Sequence, residues 1–301
     1  MPALKEKILT LSEAAGLIPD GARIHIGGFS VHNHPMAFVH ELIRKGVKDL
    51  TLVGHVGTCE IDILVGAGSV KKVEISYVGL EEHGLAQNYR RAVEKGLIEL
   101  EEYSEPVSFE RFACSSRGQS FFTTQEMLGT DLPKYNPKIK EMISPYNGQK
   151  YHLVPAADPD WVVLHAPMGD KYGNVLFFER RQLPERLDET AGQSCANVIV
   201  TVEQIISRDR VMGLSHLNVL PRFRTTAIVE APYGAHPTSC IKLYDQDREH
   251  LGMYARMSRR PEGLKEYLDK YVYGVKSHLE YLNLVGLESL LKCRVVGGTL
   301  V

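Results

Sequence analysis

The chain has 301 residues and only five cysteines, Cys59, Cys114, Cys195, Cys240 and Cys293, no two of which form a CxxC pair. That spacing suggests neither a zinc ribbon nor a thioredoxin-like redox site. The odd count, with no signal-peptide pattern at the start, makes a reducing, cytoplasmic setting the expectation. No apolar run approaches the length of a membrane span. Neither sign of charge dominates: charged residues make up 24% of the chain and the formal net charge is −2. That balance gives no electrostatic case for nucleic acid or a membrane surface. GxGxxG, Walker, GxSxG and HExxH patterns are all missing, so no dinucleotide fingerprint, serine elbow or metal site is expected. No low-complexity segment or short repeat stands out.

What is present is alternation. Strands are predicted at Arg23–Phe29, Leu50–Gly54, Lys72–Val78 and Leu97–Glu102, with helical patterns at Met36–Lys45, Glu60–Gly66 and His83–Lys95. Lys45-Gly46 and Lys95-Gly96 read as helix C-caps. A further helix is predicted over Phe109–Ser115, and Gln125–Tyr151 reads as a long irregular connection. The second half resumes with "DWVVLHAPM", "GNVLFFE", "NVIVTVEQII" and "TTAIVEAPYGAHP", β-branched runs suited to strands buried on both faces, with "GDKYGN" as a hairpin turn. Apolar spacing at Leu264, Tyr267, Leu268 and Tyr271 predicts one helix from Glu262 to about Asn283, and "LKCRVVGGTL" reads as a closing strand. The expectation is one open α/β unit over residues 1–301, with a mostly parallel sheet covered by helices on both faces.

Candidate chemistry gathers where strands become helices. Gly27-Gly28-Phe29-Ser30 ends a strand, and Pro35 opens the next helix. Glycine lets backbone N–H groups approach an anion, and a helix start adds donors and a favourable dipole. The turn therefore reads either as an oxyanion or carboxylate cradle or as a tight turn with no ligand. His32 and His34 read as pocket-lining or solvated loop residues, since no further ligands accompany them. Glu105 follows a strand end and precedes a helix, as do Glu81 and Glu82; each is a general acid or base or a helix-capping anion. His236, in "EAPYGAHPTSC", is a pocket candidate or a satisfied core histidine. No nucleophile can be named from the residues alone.

The segments "GGFSVHNHPMAFVHELIRKGVKDLTLVG", "AGSVKKVEISYVG", "VEAPYGAHPTSCIKLYDQD" and "HLEYLNLVG" together resemble the A subunit of the family I CoA-transferases of the glutaconate type. The likeness runs in order over nearly the whole chain. It implies a Rossmann-like subunit that pairs with a B subunit, in a heterodimer or α2β2 heterotetramer, with the active site between them. It further implies a B-subunit glutamate that attacks an acyl-CoA and forms a glutamyl-CoA thioester, so that this chain carries no nucleophile. Coenzyme A would be a substrate and not a resident cofactor. By match to the family's glycine motif, Gly27, Gly28, Phe29 and Ser30 would line the acyl or carboxylate end, with Ser76, Val78 and Gly79 of "SYVG" on the neighbouring strand end. His32 and His34, which are not typical of transferases, and His236 complete the expected substrate-binding set from the reading of the residues themselves.

Two segments depart from the transferase pattern. Glu105 stands where transferases often have Gln, as in relatives that hydrolyse a cyclic ketone on a CoA-bound fragment, and "RGQSFFTTQ" (Arg117 to Gln125) replaces the common Gly-Leu-Pro-Phe-Leu-Pro. The resemblance thus also admits a ring-opening hydrolase with Glu105 as base, or a glutaconyl-CoA-type decarboxylase subunit.

Overall fold

A computed structural model describes residues 4–295. After a short first helix, α1 (Leu11–Ala15), the chain runs β1 (Arg23–Ile26), α2 (Met36–Lys45), β2 (Leu50–Val53), β3 (Val56–Gly57), α3 (Cys59–Gly66), β4 (Val70–Ile75), β5 (Tyr77–Val78), α4 (Gln87–Glu94), β6 (Glu99–Glu102) and α5 (Glu105–Ser116). The middle holds β7 (Phe121–Thr124), α6 (Leu132–Tyr135), β8 (Lys140–Ile143) and β9 (Lys150–Pro155). Then come β10 (Trp161–Asp170), β11 (Val175–Leu176), α7 (Leu183–Gln193), β12 (Val198–Ile206), α8 (Arg208–Gly213), β13 (Asn218–Leu220) and β14 (Ala227–Glu230). Four helices close the described chain: α9 (Arg248–Met257), α10 (Pro261–Leu268), α11 (His278–Val285) and α12 (Leu287–Cys293).

The strands β6-β4-β2-β1-β10-β12-β14 pair in that order, every neighbour parallel. The first half of the chain builds outward from β1 and the second half outward from β10, so the direction of winding reverses between these two strands. In such sheets the crevice beyond the carboxyl ends at the reversal point is where ligands sit. The far end of β10 pairs antiparallel with β11, and β11 with β13, so the predicted hairpin is present. Asp170 shapes its turn by accepting the N–H groups of Tyr172 and Asn174. β10 is buried along nearly its whole length and β12 over Val198–Val202, which is why they read as apolar runs. The α2 helix has the predicted bounds, and Gly46 closes it at φ +71°.

Three sequence expectations are corrected. The connection Gln125–Tyr151 is irregular over most of its length but holds α6 and β8, and β7, β9 and β8 form a small antiparallel sheet, one face of which packs Val154 with Tyr103, Val107, Met127 and Ile139. Its other face meets solvent, so the alternation is diluted by lysine and glutamate. The helix predicted to reach about Asn283 is broken. A π-helical turn at Asp269–Tyr273 follows α10, and Ser277 caps a new helix by accepting the N–H of Glu280 at 3.2 Å. The turn keeps Tyr271 and Val272 buried, so the apolar rhythm continues across the break. In "LKCRVVGGTL", residues 291–293 end α12 and Arg294 makes only an isolated bridge to Tyr244; residues 296–301 lie outside the described part. No helix among the described residues is long and apolar enough to cross a membrane.

Candidate functional site at the reversal of the sheet

Beyond the carboxyl end of β1 the chain turns through Gly27–Ser30. Gly28 has φ +96°, and a Cβ there would lie 2.5 Å from the His32 carbonyl oxygen and 2.7 Å from His34 Nδ1. A Cβ on Gly27 would lie 2.7 Å from Asp188 Oδ1. Both glycines are therefore demanded by neighbours inside this chain. The N–H groups of the turn are also engaged: Gly27 donates to Val163 O at 2.7 Å, Phe29 to His32 O at 3.0 Å and Ser30 to Val56 O at 3.2 Å, while Gly28 donates to Asp188 Oδ1 at 2.8 Å. A turn with four open donors is thus not what these residues form. Its distinctive feature is a backbone stripped of side chains at the two glycines and fixed at every N–H.

The neighbouring strand ends join it. Ser30, at φ +58°, donates its hydroxyl to Glu81 Oε1 at 2.7 Å. Parallel pairing of Val56 with Tyr77 and of Gly57 with Val78 lays Ser76–Gly79 alongside, and Gly79 donates to Gly57 O at 3.1 Å. Ser76 bonds the His55 carbonyl through both its N–H and its hydroxyl. The α5 helix enters from β6 at the same end. Phe109, one turn after Glu105, packs its ring 5.9 Å from Phe29 and 5.1 Å from His55. Glu105 itself is exposed in the first turn of α5, where Ser104 makes no side-chain capping bond. Gly27–Ser30, Ser76–Gly79 and Glu105 therefore share one end of the sheet.

The histidines separate. His32 is partly exposed beside this mouth, with Nδ1 2.6 Å from Ser239 Oγ. His34 lies beneath the turn, 1% exposed, with Nε2 2.7 Å from the Ser30 carbonyl. A carbonyl only accepts, so Nε2 carries the proton and Nδ1 turns its lone pair toward Glu60 Oε1 at 3.5 Å. Burial lowers His34 to about 3 and raises Glu60 to about 8, the latter although the Thr58 N–H reaches both carboxyl oxygens. Burial thus disfavours the charged form of each, and His34 supports the turn from below without lining the mouth. His236 is also buried. Its Nδ1 is 2.7 Å from the Tyr281 hydroxyl and its Nε2 is 3.1 Å from Asp247. In place of the expected substrate contact both His34 and His236 are buried and bonded within the chain: for His236 this is the core-histidine alternative, and for His34 it is neither the pocket-lining nor the solvated-loop position.

His236, Asp247 and His250 bring ligand-type atoms within 4.8 Å of one another, as do His165, Glu203 and Cys240. In each group the histidines already bond within the chain, His250 to Tyr267 and His165 to Thr201 and Glu203. Glu203 is a hub for the loop after β14: it accepts Tyr233 N–H at 2.7 Å, Gly234 N–H at 3.2 Å and the Tyr244 hydroxyl at 2.6 Å.

Sequence reasoning missed Asp188, Glu60, His55 and Glu203. For Asp188 a signal existed, since positions 184, 188 and 191 of α7 fall on one helical face and all three are buried. Glu60 follows Thr58 at a helix start and resembled an ordinary first-turn acid.

Sequence and structure comparisons match this architecture to known proteins. The family described as Coenzyme A transferase matches residues 8–231. The chain is 32% identical to the A subunit of the 3-oxoadipate CoA-transferase of Pseudomonas knackmussii, over 91% of this chain and 96% of that protein. It is 30% identical to the A subunit of the glutaconate CoA-transferase of Acidaminococcus fermentans, over 97% of this chain and 96% of that one. The crystal structure of the Acidaminococcus glutaconate coenzyme A-transferase superposes with a TM-score of 0.91 at 29% identity, covering 97% of this chain and 96% of that chain. An uncharacterized protein of Archaeoglobus fulgidus is 35% identical over 94% of this chain, which spans 63% of that protein's length.

Proposed function

The chain belongs to the coenzyme A transferase family, and on that premise we propose that it is the A subunit of a heteromeric CoA-transferase moving CoA between an acyl-CoA and a carboxylic acid, in a heterodimer or α2β2 heterotetramer. The observation that carries this reading is the meeting of Gly27–Ser30, Ser76–Gly79 and the start of α5 at the reversal point of the sheet. This end is shaped to receive the acyl and carboxylate groups. The attacking glutamate comes from the B subunit.

In the proposed reaction that glutamate attacks the thioester carbonyl, giving an enzyme–acyl anhydride and CoA thiolate. The thiolate then attacks the glutamyl carbonyl, releases the carboxylic acid as its anion and leaves a glutamyl-CoA thioester; the incoming acid reverses both steps. This is nucleophilic catalysis that divides one transfer into two. The N–H groups of Gly27–Ser30 hold the turn, so its part is to present a fixed backbone surface to the acyl group. The uncapped first turn of α5 and the B subunit supply the donors that meet developing negative charge. All five cysteines are buried thiols outside any disulfide, in keeping with a cytoplasmic enzyme.

Purified A and B subunits are each expected to be inactive alone. Mixed, they transfer CoA from acetyl-CoA to short dicarboxylic acids, beginning with glutaconate and 3-oxoadipate, the acids named in the relatives. Full turnover by this chain in isolation contradicts the reading.

The exposure of Glu105 at this mouth favours one second reading, a ring-opening hydrolase on a CoA-linked cyclic ketone with Glu105 as general base. In that case Glu105→Gln lowers hydrolysis by roughly 10²–10⁴-fold. Under the transferase reading, thioester formation on the B subunit persists in the same variant. A CoA-linked ketone substrate and a thioester assay on one preparation separate the two.

A further inference from the structure

Asp188 is a buried acid at the glycine turn that the proposed transfer leaves without a role. It lies on α7, 0% exposed, and reaches the reversal point from below. Its Oδ1 accepts the Gly28 N–H at 2.8 Å, and its Oδ2 has no hydrogen-bond partner among the described residues. A Cβ on Gly27 would collide with Oδ1, so the carboxyl group occupies space that this glycine leaves open. One donor and no counter-ion is a poor setting for a buried charge. Burial pushes this carboxyl up to about 8, and Glu185, one turn earlier on the helix, adds to the effect against the Gly28 N–H.

We propose that Asp188 is a positioning residue for CoA transfer: through Gly28 it fixes the path of the Gly27–Phe29 turn, and its protonated form is the active one. The proposal rests on the reading that this turn faces the acyl group. When Asp188 ionises, a negative charge sits one N–H away from the turn, and it opposes the negative charge that develops as the thioester carbonyl is attacked. Other titratable groups around it are identifiable. Glu185 shares α7, and Lys242 and Arg181 partly offset its charge. Cys240, on the loop packed against Asn33, is held well above the thiol range by burial. His34 and Glu60 approach from the other side of the turn.

The test uses the assembled A and B subunits and reads kcat and KM across pH 6 to 9.5. Wild type is expected to lose kcat on an alkaline limb near pH 8. Asp188→Asn keeps the acceptor and the shape but cannot ionise, so it removes that limb and retains most of the activity that alanine loses. Asp188→Ala is expected to lower kcat by about 10²-fold, the scale of a misplaced site, with KM for the acyl-CoA little changed. Glu60→Gln controls for the second acid that titrates in the same range, and it leaves the limb in place. Hydrogen exchange at Gly28, followed in this chain itself, accelerates in Asp188→Ala and not in Asp188→Asn. Wild-type kcat and exchange in the alanine variant, or an alkaline limb that survives in the asparagine variant, overturns the proposal. If alanine prevents folding, the asparagine pH profile decides. The exchange readout is independent of turnover, so a complex without transferase activity sinks the functional reading and leaves the contact at Gly28 to be judged separately.

Discussion

Gly28→Ala is expected to destabilise the chain by about 2–5 kcal/mol and to abolish CoA transfer by the assembled enzyme. Two costs add. An L-residue forced into left-handed backbone loses roughly 1–2 kcal/mol, and inserting a methyl into a filled space costs about 1–3 kcal/mol more. Gly28 sits at φ +96°, and the new Cβ would meet the His32 carbonyl at 2.5 Å and the His34 ring at 2.7 Å. The carbonyl is backbone and cannot swing aside, and the ring is pinned by its bond to Ser30. Relief would have to come from moving the turn, which breaks the bond to Asp188. Urea unfolding read by circular dichroism measures the first part and transfer activity the second. A variant within experimental error of wild type in both would show that the turn is looser than this packing implies.

The second large effect lies behind the site. Glu74 on β4, with its side chain 3% exposed, bonds Arg111 of α5 at 2.8 Å, Arg23 of β1 at 2.6 Å and Lys72 at 3.2 Å. Arg111 stacks on the Tyr103 ring, 4.0 Å from its centroid. Burial alone would raise the Glu74 carboxyl, but Arg23 and then Arg111 outweigh it and hold it down at about 2. Glu74→Gln leaves a buried guanidinium with no counter-charge and is expected to cost about 3–5 kcal/mol. Glu74→Leu with Arg111→Met removes the charged pair together and is expected to recover much of that loss. The pH dependence has a definite sign. The folded pKa lies below the unfolded one, so this contribution is complete above about 4.5 and fades as pH falls toward about 2. Wild type and Glu74→Gln should therefore converge in stability on the acid side. Because Arg111 anchors α5, the substitution also displaces Glu105 and Phe109 relative to the glycine turn. A constant gap between the two proteins at every pH would mean that the cost is steric and not electrostatic.

The fold was legible where local pattern and tertiary burial agree. The β1 turn, α2 with its Gly46 cap, and the buried runs of β10 and β12 all advertise themselves, since strands covered on both faces have no polar side to dilute the signal. The small sheet of β7, β8 and β9 did not, since only one of its faces is packed. The break before α11 was hidden because the π-helical turn preserves apolar spacing. The signal that could have revealed it was the Ser277-x-x-Glu280 capping pattern. At the site, glycines and strand ends could be placed from sequence. The partners that use up their N–H groups could not, because Asp188 lies 160 positions from Gly28 along the chain. That distance is why the sequence leaves open whether the turn is a cradle or merely tight, while the structure shows its N–H groups engaged within the chain. It is also why His34, two residues from His32, takes a different role: Gly28, Ser30 and Glu60 enclose it.

The central claim is that this chain receives the acyl group while a second chain attacks it. Incubating the assembled A and B subunits with acyl-CoA in the absence of acceptor, cleaving any protein thioester with hydroxylamine, and locating the resulting hydroxamate by peptide mass spectrometry tests it most directly. The expected result is modification of a single glutamate in the B subunit, with no label on this chain. Label on a residue of this chain, or thioester turnover with both chains unmodified, contradicts it.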